Sequence, residues 1–172
     1  MALQVVVMGV SGSGKTTVGE LLAHRLEVEV ADGDDFHSAA NRAKLQAGVP
    51  LTDADRRPWL DAIGQWLAER ETTGAVVACS ALKQRYRDVI RSHVPDIDLL
   101  YCEGSSELIT DRIADRSDHF MPPSLLESQF DELEPPDGDE DAFVADVARA
   151  PEAIVDDFIA AVLRRGAEQA KE

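Results

Sequence analysis

The chain has little positive charge: 17 lysines and arginines stand against 33 aspartates and glutamates, for a formal net charge of −16. A phosphate backbone would be repelled over most of such a surface, which argues against nucleic acid as a partner. Cysteine is equally scarce. Cys79 and Cys102 each sit in an apolar, strand-like run without C-x-x-C or Cys/His spacing, so both read as buried thiols in a reducing compartment. No apolar stretch reaches the roughly 20 residues that span a bilayer, and the N-terminus has no basic n-region or apolar h-region. The expectation is a cytoplasmic protein without a membrane partner. Internal repeats and low-complexity linkers are also missing, and 172 residues of 44% hydrophobic content suffice for one packed core, so residues 1–172 read as a single domain.

What the chain does have is concentrated near its start. The apolar run Val5-Val6-Val7-Met8 feeds into Gly9-Val10-Ser11-Gly12-Ser13-Gly14-Lys15-Thr16, followed by Thr17 and a helical pattern with Val18, Leu21, Leu22 and Leu26 on one face. This is the G-x-x-x-x-G-K-[ST] spacing of a P-loop, placed between a strand and a helix as the motif requires. Its glycines let backbone N–H groups turn inward around phosphate oxygens, and the helix N-terminus adds positive potential. Lys15 would reach the β- and γ-phosphates and the Thr16 hydroxyl would ligate Mg²⁺.

Apolar, β-branched runs recur at Gln4–Val10, near Val28–Ala31, and at Ala75–Ser80, Ile97–Cys102 and Phe143–Val147, with helix-length segments between them. Alternation of this kind predicts α/β architecture with a five-stranded parallel sheet covered on both faces. Thr52, followed by Asp53 and Asp55, predicts a helix start, and Trp59, Ile63 and Trp66 share that helix's core face before Gly74. From about 112 to 141 charge is dense and Pro122-Pro123 and Pro135-Pro136 interrupt it, which reads as a mobile lid rather than core. The tail from about 165 to 172 is expected to fray.

An acceptor site should lie outside the carboxyl ends of the strands. The second strand ends in Asp32-Gly33-Asp34-Asp35-Phe36-His37, where Asp34 is the candidate general base and Asp32 the candidate metal ligand. An Asp-rich turn capping the next helix is the alternative. The third strand ends in Cys79-Ser80-Ala81-Leu82-Lys83, and a helix starting near Ala81, capped by Ser80, would set Lys83 and Arg87 on one face as a cationic pair for a carboxylate or phosphate. A solvated basic face is the competing reading. Arg112 and Arg116 share the same i, i+4 spacing and could carry charge onto the transferring phosphoryl group, with ion pairs to Asp111, Asp115 or Asp118 as the alternative.

Taken together, these motifs resemble the P-loop gluconokinases, relatives of shikimate kinase and the nucleoside monophosphate kinases. The segments that carry the resemblance are the P-loop, Asp32-Gly33-Asp34 with Phe36-His37, Pro50-Leu51-Thr52-Asp53 through Asp55-Arg56-Arg57-Pro58-Trp59-Leu60, and Cys79-Ser80-Ala81-Leu82-Lys83 with Tyr86-Arg87-Asp88. His119-Phe120-Met121, Ser128-Gln129-Phe130 and Leu133-Glu134 extend it. The resemblance implies a three-layer α/β/α P-loop kinase fold with a helical lid, ATP-dependent phosphorylation of D-gluconate to 6-phosphogluconate, Mg²⁺, and commonly a homodimer. It implies that Asp34 and His37 contact the sugar-acid hydroxyls. Arg56, Lys83 and Arg87 would then meet the carboxylate or the transferred phosphate, Arg116 and His119 would lie in the lid, and the adenine pocket would include the loop near Val147–Pro151. Asp35 stands where the family often has an apolar or aromatic residue. A kinase for shikimate or a nucleoside monophosphate is the nearest rival. A GTP switch has only Asp61-Ala-Ile-Gly64 in its favour and lacks an Asn-Lys-x-Asp segment, and a non-catalytic ATP-binding module remains as a third reading.

Overall fold

A computed structural model describes residues 2–115 and 123–170 of the chain. Five strands alternate with helices in the order β1 (Gln4–Met8), α1 (Lys15–Leu26), β2 (Glu29–Asp32), α2 (Ala39–Gln46), α3 (Asp53–Ala68), β3 (Ala75–Ala78), α4 (Gln84–Arg91), β4 (Asp98–Glu103), α5 (Ser106–Ala114), α6 (Pro123–Glu132), β5 (Phe143–Asp146) and α7 (Pro151–Gln169). The strands form one sheet in the order β2-β3-β1-β4-β5, and every pairing is parallel. Each expected strand is present, and β1 and β3 stop two residues short of their apolar runs. Those residues, Gly9-Val10 and Cys79-Ser80, instead turn out of the sheet at its carboxyl edge.

Period-2 alternation along buried strands divides the core into two layers. Val6, Met8, Val77, Leu99 and Tyr101 pack with Trp59, Leu60 and Ile63 of α3 and Tyr86 and Ile90 of α4. Val5, Val7, Val76, Leu100 and Cys102 pack on the other face with Val18 and Leu22 of α1 and Ile154, Val155 and Phe158 of α7. Both thiols are buried, and burial pushes each up to about 12, so they are neutral core groups.

Helix α3 starts where the sequence predicts. Thr52 Oγ1 accepts from the Asp55 N–H at 3.1 Å and the Asp55 carboxylate accepts from the Thr52 N–H at 2.9 Å, a reciprocal capping box. The Asp55 carboxylate also takes the Lys44 ammonium of α2 at 2.8 Å, and these bonds hold its pKa down at about 2.

Two expectations fail. The helix after β3 begins at Gln84, not Ala81, and Ser80 does not cap it; the Gln84 N–H is capped instead by the Glu134 carboxylate at 2.8 Å. Ala81 occupies the left-handed region at φ +41°, which an α-helix excludes. The 112–141 segment is not a loose insertion throughout: it begins inside α5, Leu126 of α6 is buried against Val10, Leu82 and Ile109, and Glu140 is buried in a 3-10 turn. Beyond Arg164, α7 continues to Gln169, and Arg165 pairs with Asp98 and Asp141.

Candidate active site

The P-loop links the end of β1 to α1. Gly12 has φ +79° and Gly14 φ +88°, conformations that glycine adopts without steric cost. A Cβ on Gly12 would lie 2.6 Å from the Ile113 side chain of α5, and one on Gly9 would lie 2.7 Å from Ser13 Oγ, so the loop is packed too tightly for any side chain at either position. Lys15, at the first turn of α1, lies back over the loop with its ammonium 3.4 Å from the Val10 carbonyl. Thr16 and Thr17 follow it and are exposed.

Two hollows flank this loop. One, of about 250 Å³, is bounded by Ser13, Thr17, Arg112, Val147, Arg149 and Pro151. The Arg112 guanidinium donates to the Val147 carbonyl, joining α5 to the β5–α7 loop expected to hold an adenine. The other, of about 690 Å³, runs from Ser11 past Asp34 and His37 to Arg56, with Gln129 and Glu132 of α6 on its far wall. A larger hollow, about 900 Å³, opens under the amino ends of the strands, near Gln4, Asp98 and Arg165. It is remote from the P-loop, and ligands of open α/β sheets gather at the carboxyl ends.

Asp32 and Asp34 stand at the end of β2, two strands from the P-loop. Asp32 Oδ1 accepts from the Asp34 N–H at 2.9 Å, so it caps the turn Gly33–Phe36 and thereby places Asp34. Asp34 itself is exposed to the hollow. The Thr16 hydroxyl and these carboxylates are hard oxygen donors of the kind Mg²⁺ takes. Among the described residues no group of three or more His, Cys, Asp or Glu could hold a metal. Such a donor set fits an ion held chiefly by phosphate oxygens and water.

His37 stacks on Trp59 with ring centres 4.4 Å apart, and Trp59 Nε1 donates to the Gly33 carbonyl at 2.7 Å. Trp59 is thus core and platform at once. Burial, reinforced by Arg42 and Arg56 and opposed by Asp34, lowers the His37 pKa, so the imidazole is neutral near neutral pH, and its buried Nδ1 has no partner among the described residues. Arg56 donates to the Tyr86 hydroxyl at 2.9 Å, and that hydroxyl donates to Asp53 at 2.6 Å. Tyr86 is pushed up to about 12 by burial and by this bond to Asp53, so it keeps its proton.

Arg87 is a correction. Its side chain is fully buried, with Nε donating to Glu140 at 2.7 Å, Nη1 to the Ala81 and Leu82 carbonyls at 2.9 and 3.2 Å, and Nη2 to Glu134 O and Glu140. No donor faces the hollow, so Arg87 does not touch a substrate; it holds the strained Ala81 turn and ties the end of the lid segment to α4. The cationic pair with Lys83 does not form, because Lys83 is the non-helical cap residue, with its ammonium 5.6 Å from the centre of the Tyr86 ring. Arg116 and His119 lie outside the described residues.

A family model described as shikimate kinase matches residues 11–162. The thermosensitive gluconokinase of Escherichia coli K12 is 44% identical over 142 residues, covering 81% of this chain and 75% of that protein. The gluconokinase of Gluconobacter oxydans 621H is 43% identical, with coverage of 90% and 88%. The solved gluconokinase of Sinorhizobium meliloti 1021 superposes with a TM-score of 0.89 at 42% identity, covering 98% of this chain and 95% of that one.

The chain belongs to the gluconokinases of the shikimate kinase family.

For a gluconokinase-family chain, the site has contributors that sequence spacing did not reveal. Gln129 of α6 accepts from the Ser11 N–H of the P-loop at 2.7 Å across 118 residues of chain. Glu132 pairs with Arg56 at 3.4 Å across 76 residues. Glu134, Glu140 and Tyr86 organise the walls as described. Gln129, Glu134 and Tyr86 fall within the segments that carry the family resemblance, but nothing local in the sequence marks their partners.

Proposed function

We propose that the protein transfers the γ-phosphoryl group of ATP to the terminal hydroxyl of D-gluconate, giving 6-phosphogluconate and ADP. The observation that carries this reading is the hollow beside the P-loop: among its described lining residues Arg56 is the only permanent cation, facing Asp34 and a neutral His37. That arrangement suits an acid with several hydroxyls, and the kinship with gluconokinases names the acid.

In the reaction the substrate carboxylate pairs with Arg56, Lys83 adds positive charge from the turn before α4, and hydroxyls bond to Asp34 and His37. Asp34 takes the proton of the attacking hydroxyl as its oxygen bonds to the γ-phosphorus; the bond to the β–γ bridging oxygen breaks and ADP leaves. Lys15 swings from the Val10 carbonyl to the β- and γ-oxygens, and P-loop N–H groups spread the rest of the charge. Arg112 lies on the nucleotide side, and Arg116 and His119 are assigned to the lid. Thr16 and, through water, Asp32 would hold Mg²⁺, which would supply positive charge against that of the phosphate oxygens. The protein would act as a homodimer, which light scattering would report as twice 18.7 kDa. A cytoplasmic setting fits the buried thiols. Among the described residues no helix is long and apolar enough to cross a membrane.

The test is ADP release with Mg-ATP and a panel of D-gluconate, shikimate, glucose and nucleoside monophosphates. Stimulation by gluconate alone is expected. Stimulation by another acceptor would retain the kinase mechanism and overturn the substrate assignment.

A further inference from the structure

Helix α6 brings two acceptors to the hollow one helical turn apart, and each sits on a donor that a ligand needs. Gln129 Oε1 takes the Ser11 N–H at 2.7 Å, a P-loop donor on the acceptor side of the loop, while its amide lies 3.4 Å from Ser11 Oγ. Glu132 takes the Arg56 guanidinium at 3.4 Å, the only permanent cation among the described residues lining the cavity. Both bonds are partly buried, and Leu126, one turn earlier, fixes the helix against Val10 of the same loop. We infer that α6 carries built-in stand-ins for the two anionic groups of the reactants, Gln129 for a phosphoryl oxygen and Glu132 for the substrate carboxylate, so that each reactant must displace α6 to bind. This rests on the reading of Arg56 as the carboxylate site.

Two consequences follow from competition for one rigid element. Glu132 determines specificity, because only an acceptor bearing its own anion replaces the ion pair it breaks; a neutral polyol would leave Arg56 and Glu132 either paired to each other or unsatisfied. The two sites are also coupled: once one reactant has released α6, the other no longer has to, so each raises the affinity of the other by the same factor.

The experiment is calorimetric titration of the full chain with D-gluconate, with and without a non-hydrolysable ATP analogue, together with steady-state kinetics. Wild type should bind gluconate more tightly when the analogue is present. Glu132→Gln should bind gluconate alone about threefold to fivefold more tightly, the size of a partly exposed ion pair, and should lose most of the coupling. Glu132→Asp should fall between, and Gln129→Leu should reduce the coupling from the nucleotide side. Weaker gluconate binding by Glu132→Gln would mean that the carboxylate merely positions Arg56, and unchanged affinity and coupling in both variants would mean that α6 does not compete; either result overturns the inference. A wild type that turns over a different anionic acceptor would instead refute the substrate reading, and the same titrations with that acceptor would still decide the role of α6.

Discussion

At the residue scale, position relative to the P-loop separates groups of similar chemistry. Asp32 and Asp34 are two residues apart on one turn, yet Asp32 spends an oxygen on the Asp34 N–H while Asp34 faces the hollow. Asp34→Asn should therefore lower kcat by about 10²–10⁴, the usual worth of a positioned base, with the Kd for ATP nearly unchanged. A normal turnover number would remove that role. Lys15→Ala should cost about 10²-fold or more in phosphoryl transfer, as loss of a charge-stabilising donor does, while circular dichroism reports an intact fold. Both residues were legible in the sequence because motif spacing and strand ends locate them. Arg87 was not: its i, i+4 relation to Lys83 holds in number, but Ala81 at φ +41° delays the helix and turns the guanidinium inward to Glu140.

At the scale of elements, carboxylates hold the structure together at its turns. Glu140 is buried, which disfavours its charge, but hydrogen bonds from Arg87 and Arg91 outweigh that cost and lower its pKa. Arg87→Met leaves this carboxylate without its buried partner and should destabilise the protein by about 3–5 kcal/mol, read as a fall in the denaturation midpoint. Lys83→Ala should leave stability unchanged, and equal effects of the two would contradict their separation. Asp55 offers a pH test. Its folded pKa of about 2 is below the ordinary carboxylate value, so its contribution is complete above that ordinary value and is lost as the pH falls through the folded one. The stability gap between wild type and Asp55→Asn should hold constant from neutral pH down to about 4 and close toward about 2. The capping box behind this was legible because Thr52 and Asp55 are three residues apart. Glu134 as the cap of α4 was not, since it acts across 50 residues of chain.

For the whole molecule, a body of net charge −16 binds two anions at one edge of its sheet. It does so by gathering P-loop N–H groups, Lys15 and Arg56 at the carboxyl ends of β1, β2 and β3, where the strand order puts the P-loop beside the acceptor loops. Ligand binding is thus coupled to the core. Mg-ATP at about 100 times its Kd should add about 2.7 kcal/mol and raise the melting temperature by about 5–10 °C, whereas Lys15→Ala should lose most of that shift. Sequence alone determined the strands, the P-loop and the acceptor-loop carboxylates, because hydrophobic period, glycine conformation and motif spacing act over a few residues. The tertiary structure alone decided that Arg87 is a buried strut, that Glu132 pairs with Arg56 in the acceptor hollow, and that Gln129 of the same wall bonds the P-loop. Those outcomes depend on which side chains meet across 50 to 118 residues of chain, and pairing at that range is set by sheet order and helix packing rather than by any local pattern.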